Sequence, residues 1–324
     1  MFKNLFKKKA YLNCPYMKNS IHFFYDNISA CCTNVNGPVF YPDYKGELVD
    51  WNEVYKKRKA IIKKIKSPFR KEVIPECCKG CCDANQFLSD TPPDNFVNEI
   101  QIMYFHNNMS CNAKCTYCTY SHIERGYRYL VVPLVKSLIQ SNLLSKNTRI
   151  YMSGGEITIS KEFEDLLSIL INHVESRIEI LSSGIKYCES IKEAFRQNIS
   201  LDSGGGETYK TIKQLDCFDK VIENIKTYLS VADSAKDNII LKYILIDGVN
   251  DNKKELENFL NTAKDLGINN VRLDFDYEKY RFTEDITVPE YYFELYDFFN
   301  TEVKKRNLNA LKCTQIEAIL NKSK

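Results

Sequence analysis

The chain has 324 residues, of which 44% are hydrophobic and 27% are charged, and its formal net charge is +3. These values favour a soluble globular protein with one large domain and one small domain. They exclude a strong positive field over the whole molecule, so nucleic-acid binding is not predicted, and no run of 18 apolar residues predicts a membrane span.

The thirteen cysteines are the unusual part of this composition. The amino-terminal residues lack the apolar core and the small-residue cleavage site of a signal peptide, so a cytoplasmic location is predicted. In that compartment, cysteines are expected to be metal ligands, catalytic thiols or core side chains rather than disulfides.

Residues 1–88 form a basic, cysteine-rich segment. Residues 1–98 contain 16 Lys and Arg against 10 Asp and Glu, a net +6, and the simplest interpretation of this charge is a solvated helix face. A helix is predicted from its N-cap residue Asp50 to Lys66. The cysteines on either side of it, some at metal-ligand spacing, are Cys14, Cys31-Cys32, Cys77-Cys78 and Cys81-Cys82.

A linker is predicted at residues 89–96, and strand and helix patterns alternate after it. Apolar runs of strand length lie at 99–105, 148–152, 177–182, 198–202, 239–246 and 270–275. Helical periodicity separates several of these runs, and Ser160 is expected to cap the helix that carries Phe163. Strands that alternate with helices predict a parallel α/β sheet with right-handed crossovers.

The most informative motif is Cys111-x-x-x-Cys115-x-x-Cys118, with Tyr117 just before the last thiol. Three thiolates at this spacing can hold three irons of a cubane cluster from one short loop, which leaves the fourth iron for a ligand other than protein. The apolar run at 148–152 leads into Gly154-Gly155-Glu156. Because ligands of parallel α/β folds bind at the carboxyl ends of strands, both motifs are expected at one site.

Polar residues also alternate with apolar ones in the later strands. Ser200 and Asp202 are separated by Leu201, and Lys242 lies among Leu and Ile residues. The outer face of a barrel must be apolar to pack against helices, so these polar side chains are expected to point inward, where a polar ligand could bind. The alternative is that they form salt bridges at the strand ends.

The cysteine loop followed by the Gly-Gly-Glu strand end resembles the radical S-adenosylmethionine (SAM) superfamily over roughly residues 97–312. The resemblance implies a partial (β/α)6 TIM-like barrel, a 4Fe–4S cluster on Cys111, Cys115 and Cys118, and SAM bound to the open iron. The SAM-binding residues that it implies are Tyr117, Gly154, Gly155, Glu156, Ser182, Ser200, Asp202 and Lys242. Residues 313–324 would be a carboxyl-terminal tail.

The amino-terminal segment looks like the SPASM/twitch type of auxiliary-cluster module, a small Cys-rich α+β module placed here before the barrel. The matching positions are Cys14-Pro15, Cys31-Cys32, Trp51 and Cys78 to Cys81. The similarity implies that Cys14, Cys31, Cys78 and Cys81 hold a second, auxiliary 4Fe–4S cluster. Cys32, Cys77 or Cys82 could replace a neighbour, and four thiolates would serve zinc equally well.

The resemblance implies an enzyme that takes an electron from a reductant such as ferredoxin or flavodoxin and cleaves SAM to a 5′-deoxyadenosyl radical, which removes hydrogen from a substrate. An auxiliary cluster that accepts an electron would make the net reaction an oxidation, so an oxidoreductase acting on a peptide, a protein or a sugar-type small molecule is predicted. No residue that acts on the substrate can be named. The alternatives are an RNA-modifying radical SAM enzyme, for which no RNA-binding domain is evident after the barrel, and a non-catalytic zinc-binding scaffold.

Overall fold

The computed structural model describes residues 9–31, 37–70, 78, 87–93, 98–118, 126–175, 178–194, 196–231, 235–276, 279, 288–312 and 316. The strands are β1 (Lys9–Leu12), β2 (Ser20–Phe24), β3 (Ile28–Ser29), β4 (Val39–Tyr41), β5 (Phe69–Arg70), β6 (Leu88–Ser89), β7 (Ile100–His106), β8 (Leu144–Met152), β9 (Ile178–Ser182), β10 (Arg196–Ser200), β11 (Ile239–Leu245), β12 (Asn270–Phe275) and β13 (Asn309–Ala310). The α-helices are α1 (Pro15–Asn19), α2 (Trp51–Ile65), α3 (Val132–Gln140), α4 (Phe163–His173), α5 (Gly206–Lys213), α6 (Phe218–Val231), α7 (Ala235–Asn238), α8 (Lys253–Asp265) and α9 (Glu290–Lys305).

Each of the six predicted apolar runs forms a strand, and together they form β7 to β12. These strands lie side by side in chain order, and every neighbouring pair is parallel. Their outward side chains, such as Ile150, Leu241 and Leu273, belong to the main hydrophobic core. The prediction of an α/β fold consistent with a partial TIM-like barrel is therefore confirmed.

The two predicted helix starts have different outcomes. Asp50 caps α2 as predicted, because its side chain accepts hydrogen bonds from the backbone N–H groups of Asn52 at 2.9 Å and Glu53 at 3.3 Å. The predicted Ser160 cap of α4 is wrong, because Glu162 takes the N-cap position of that helix. The Glu162 carboxylate instead accepts hydrogen bonds from backbone N–H groups at the start of α3, at 2.8 Å and 3.0 Å.

The amino-terminal segment contributes strands to the barrel sheet. β2 pairs in parallel with β7, β3 and β4 continue the sheet in antiparallel fashion, and the described residues form a ten-stranded sheet in the order β13-β12-β11-β10-β9-β8-β7-β2-β3-β4. The rings of Phe23 and Phe105 stack across the β2–β7 pair at 5.3 Å. The predicted module of residues 1–88 is thus built partly onto the barrel, while β1, β5 and β6 form a separate small sheet.

Candidate functional site

A cavity of about 260 Å³ lies at the carboxyl ends of the barrel strands, and its wall holds both predicted motifs. The predicted site residues in this wall are Cys111, Cys115, Cys118, Tyr117, Gly154, Gly155, Glu156, Ser182, Ser200 and Lys242. The wall also contains residues outside the predicted set of site residues, namely Met109, Ala113, Ser153, Leu181, Ser183 and Lys213. The two motifs therefore meet at one site, as their positions after β7 and β8 require.

The Gly-Gly-Glu strand end packs directly against the backbone that leads into the cysteine loop, residues 107–118. The N–H of Gly155 donates to the carbonyl of Asn108 and the N–H of Glu156 to the carbonyl of Ser110, both at 2.7 Å. A Cβ atom on Gly155 would lie 2.2 Å from the Ser110 oxygen. Gly154 has φ +115° and is equally crowded. Glycine is therefore required at both positions, because the backbone after β8 is in contact with the backbone that leads into the cysteine loop.

The other side of the cysteine loop is fixed to the end of α5. The N–H of Lys114 donates to the carbonyl of Lys213 at 3.1 Å, and the N–H of Thr116 donates to the carbonyl of Ile212 at 2.9 Å. The loop is thus held between β8 and α5, so that its thiols keep their places in the cavity wall.

Glu156 connects the ends of β8 and β9. Its buried carboxylate accepts hydrogen bonds from the hydroxyls of Thr158 at 2.7 Å and Ser182 at 2.9 Å, and from both the N–H and the hydroxyl of Ser183 at 2.6 Å. These donors fix the carboxylate in position. A ligand amine that binds Glu156 would share it with them.

Asp202 lies behind the cavity wall rather than in it. Its side chain is fully buried and forms an ion pair with Lys213, whose side chain is 1% exposed. The hydroxyl of Tyr117 donates to Asp202 at 2.8 Å, and the N–H of Ile244 donates at 2.9 Å. Burial alone would lower the pKa of Lys213, but the attraction of Asp202 and other negative groups outweighs it, so the pKa is raised. Asp202 therefore fixes Tyr117 and Lys213 against the cavity.

Replacing Asp202 with alanine is expected to lower the free energy of unfolding by about 3–5 kcal/mol, because the Lys213 ammonium would stay buried without its carboxylate. Urea denaturation of the full chain measures this. The control is Lys220→Ala, which removes an exposed ion pair with Glu223 and should cost less than about 1 kcal/mol. Equal effects of the two changes would show that the buried pair has no special role.

The Cys111 thiol is expected to be protonated before a cluster binds. Burial raises the pKa of the Cys111 thiol to about 11, although a hydrogen bond from the N–H of Ala113 at 3.4 Å opposes this shift. Iron must therefore displace a proton from Cys111, so cluster binding becomes more favourable as the pH rises. Among the described residues, no three metal-binding side chains converge on one point.

The charges in the wall suit a zwitterionic ligand such as SAM. Glu156 supplies a carboxylate, and Lys213 and Lys242 supply ammonium groups. On the inner face of the barrel, Asp274 lies 4.0 Å from Lys242 and accepts a hydrogen bond from Arg272 at 2.8 Å. Lys242 therefore faces the cavity and also approaches the ion pair between Asp274 and Arg272.

The amino-terminal cysteines are partly brought together. Cys14 and Cys78 are buried in one apolar cluster with Met17, whose sulfur lies 3.7 Å from the Cys78 sulfur. Cys31 is buried as well, and the hydroxyl of Ser20 lies 2.8 Å from the carbonyl just before it. Cys81, like Cys32, Cys77 and Cys82, lies outside the described residues. Two of the predicted ligands, Cys14 and Cys78, therefore lie in one apolar cluster.

Comparison with known proteins agrees with this geometry. The family model described as Radical SAM superfamily matches residues 109–271. The GTP 3′,8-cyclase of Petrotoga mobilis is 33% identical over 193 residues, which cover 54% of this chain and 56% of that protein. A probable GTP 3′,8-cyclase of Methanocaldococcus jannaschii is 25% identical over 181 residues, which cover 54% of this chain and 58% of that protein. The chain therefore spans little more than half the length of these relatives.

A solved structure has a similar fold. Streptococcus suis SuiB, bound to precursor peptide SuiA, has a TM-score of 0.53 and 11% identity, and the match covers 85% of this chain and 57% of SuiB. At this identity the similarity concerns the fold alone. In the described part of the chain, no helix combines the length and apolar character needed to cross a bilayer.

Proposed function

Because the chain belongs to the radical SAM superfamily, we propose that it is an enzyme whose cavity holds a 4Fe–4S cluster on Cys111, Cys115 and Cys118 together with SAM. When bound, these two groups supply reductive cleavage of SAM to a 5′-deoxyadenosyl radical, which removes hydrogen from a substrate. The observation that carries the proposal is the single cavity lined by the cysteine loop and the Gly-Gly-Glu strand end.

In this proposal the chain binds and orients SAM through groups of opposite charge. Lys242 attracts the SAM carboxylate. The carboxylate of Glu156 and the backbone carbonyls of Gly154 and Gly155 accept hydrogen bonds from the SAM ammonium group. In the same wall, Ser200 offers its hydroxyl to the ribose, while Ser182, whose hydroxyl donates to Glu156 at 2.9 Å, acts on SAM through that carboxylate.

Tyr117 and Asp202 have different roles in this site. Because the Tyr117 hydroxyl is engaged by Asp202, Tyr117 offers its ring to the ligand. Asp202 is a positioning residue that acts through Tyr117 and Lys213.

We further propose that residues 1–88 carry an auxiliary 4Fe–4S cluster on Cys14, Cys31, Cys78 and Cys81, joined through residues 89–96 to a barrel of residues 97–312, with 313–324 as a tail. Cys14 and Cys78 support this, since they share one buried cluster. An auxiliary cluster would accept an electron from the substrate and make the reaction a net oxidation. The reductant would be a protein such as ferredoxin or flavodoxin.

Two substrate classes follow from different observations. The prediction of an auxiliary cluster favours a peptide, a protein or a sugar-type small molecule as the substrate. The relatives named GTP 3′,8-cyclase favour a nucleotide and a cyclisation instead, although the match covers 56% of the Petrotoga mobilis protein. Incubation with GTP and, separately, with an extract rich in peptides and sugars would distinguish the two classes.

Anaerobically reconstituted protein with dithionite and SAM is expected to form 5′-deoxyadenosine and methionine, measured by liquid chromatography and mass spectrometry. Iron and sulfide analysis should give about eight irons per chain for two clusters or about four for one. Bound zinc without iron would support the scaffold alternative. The enzyme proposal fails if reduced, iron-loaded protein forms no 5′-deoxyadenosine even with substrate-rich extract.

A further inference from the structure

One face of α2 carries a row of lysines for which the described part of the chain supplies no acidic partner. Lys56, Lys59 and Lys63 are exposed, and their spacing of three and four residues places them along one side of the helix. Within the described residues no carboxylate pairs with them, whereas Lys57, one position away from Lys56, forms an ion pair with Glu53 at 2.6 Å. Lysines three or four residues apart repel each other, so the row does not stabilise the helix.

The lysine row continues into an open groove. Lys59, Lys63 and Lys66 line it together with Ile62 and Ser67, and its volume is about 290 Å³. A concave cationic surface with an apolar floor can seat a small acidic surface on another protein.

The helix that carries this row is fixed firmly to the barrel. The buried side chain of Arg58 donates to the carbonyls of Asn98 at 2.7 Å and of Lys18 and Glu99 at 3.2 Å. At the start of α2, the indole N–H of Trp51 donates to a hydroxyl on α3 at 2.8 Å. The lysines therefore stand on a rigid base, so little ordering is required when a partner docks.

The neighbouring side of the same helix covers the amino-terminal cysteines. Ile62, which also lines the groove, packs with Ile65 into the apolar cluster that contains Cys14 and Cys78. Because an α-helix with its side chains is only about 10–12 Å across, the lysine row lies close to this cluster.

We propose that the α2 lysine row is the docking surface for an acidic electron-donor protein. This inference rests on the proposed function, since it supplies the entry point for the electron that the function requires. One electron leaves the reduced iron–sulfur or flavin centre of the donor, enters the iron–sulfur centre that the amino-terminal cysteines would hold, and passes from there to the cluster on Cys111, Cys115 and Cys118 that needs it for SAM cleavage. No bond is made or broken in either transfer. Charge attraction suits such a contact, because electron-transfer complexes are small and transient and depend on electrostatic steering.

A partner of this kind fits better than a nucleic acid. The net charge of the whole chain is only +3, because residues 1–98 carry a net +6 and the remainder a net −3. A basic surface next to the amino-terminal thiols would bring a donor protein close to the centre that it reduces. RNA binding gives no reason for a basic surface at this position.

The test uses the reconstituted full chain and the double variant Lys59→Glu/Lys63→Glu. Its control is Lys226→Glu/Lys254→Glu, which changes the charge equally at exposed lysines on α6 and α8. Purified oxidised ferredoxin and flavodoxin are titrated calorimetrically at low and high salt. We expect at least one to bind the wild type, and the α2 variant to bind it about tenfold more weakly, with a flatter salt dependence.

SAM cleavage provides a second measurement. With the reduced donor protein, the rate should fall in the α2 variant and not in the control, while dithionite should drive all three proteins equally. The inference is overturned if neither donor binds the wild type, if both variants weaken alike, if dithionite-driven cleavage falls in parallel, or if the α2 variant loses binding to transfer RNA but not to the donor. Absence of dithionite-driven cleavage in the wild type would contradict the proposed function instead, and the binding titration would still test the docking surface.

Discussion

Replacing Cys115 with alanine is expected to abolish the formation of 5′-deoxyadenosine from SAM. The middle thiol of the cysteine loop lines the cavity with Cys111 and Cys118, and two thiolates cannot retain a cubane that needs three. The iron content of the reconstituted protein should fall by about four per chain, because one whole cluster is lost. Both measurements are made on the same anaerobic preparation.

The matched control for this change is Cys217→Ala. Cys217 lies just before α6, outside the cavity wall, and is partly exposed. It should keep the iron content and the cleavage rate of the wild type. If the Cys115 variant also keeps them, the cluster is not bound by the cysteine loop and the proposed active site is wrong.

The second large effect is expected from Gly155→Ala. The added methyl group would lie 2.2 Å from the carbonyl oxygen of Ser110 and 2.8 Å from the carbonyl carbon of Met109. The backbone of the cysteine loop must therefore move away, and the hydrogen bonds that Gly155 and Glu156 donate to the loop are strained or lost. A displacement of about 1 Å at a reacting group can reduce the rate about 100-fold, so we expect SAM cleavage to fall at least that far.

Gly205→Ala is the control for the glycine change. A Cβ atom at Gly205 meets nothing within 4 Å, and the backbone there is extended, with φ −168° and ψ 168°. The control should retain its iron and its cleavage rate. Normal iron loading and activity in the Gly155 variant would show that the contact between β8 and the cysteine loop is not needed for function.

The fold was largely predictable because its central signal is local. The strands of a parallel sheet are covered on their outer face by helices, so they appear as short apolar runs, and all six runs became β7 to β12. The Asp50 cap was also predictable, since a capping side chain acts on residues two and three positions away.

The pairing of β2 with β7 left no such signal. Ser20 lies opposite Ile102, so the contact joins parts of the chain that are far apart in sequence. The amino-terminal segment therefore suggested an independent module, although three of its strands extend the barrel sheet.

For the candidate site as well, local features could be predicted from the sequence, whereas contacts between distant residues could not. The cysteine spacing and the Gly-Gly-Glu strand end were visible in the sequence, and the structure brings both into one cavity wall. Lys213 could not have been identified, because it is one of several lysines on or near α5, and only the tertiary contact with Asp202 distinguishes it. The glycines were interpreted as ligand contacts, and their close approach to the loop backbone became visible only in three dimensions.

The β2–β7 pair has a consequence for synthesis on the ribosome. The amino-terminal strands emerge first, but β2 can pair with its parallel neighbour only after β7 has been synthesised. Until then one edge of β2 is unpaired, and its apolar residues Ile21 and Phe23 are not yet buried against β7. Cys31 follows β3 by two residues and is buried in the finished structure. Folding of this end of the chain, and binding of any cluster at the proposed auxiliary site, should therefore depend on completion of β7.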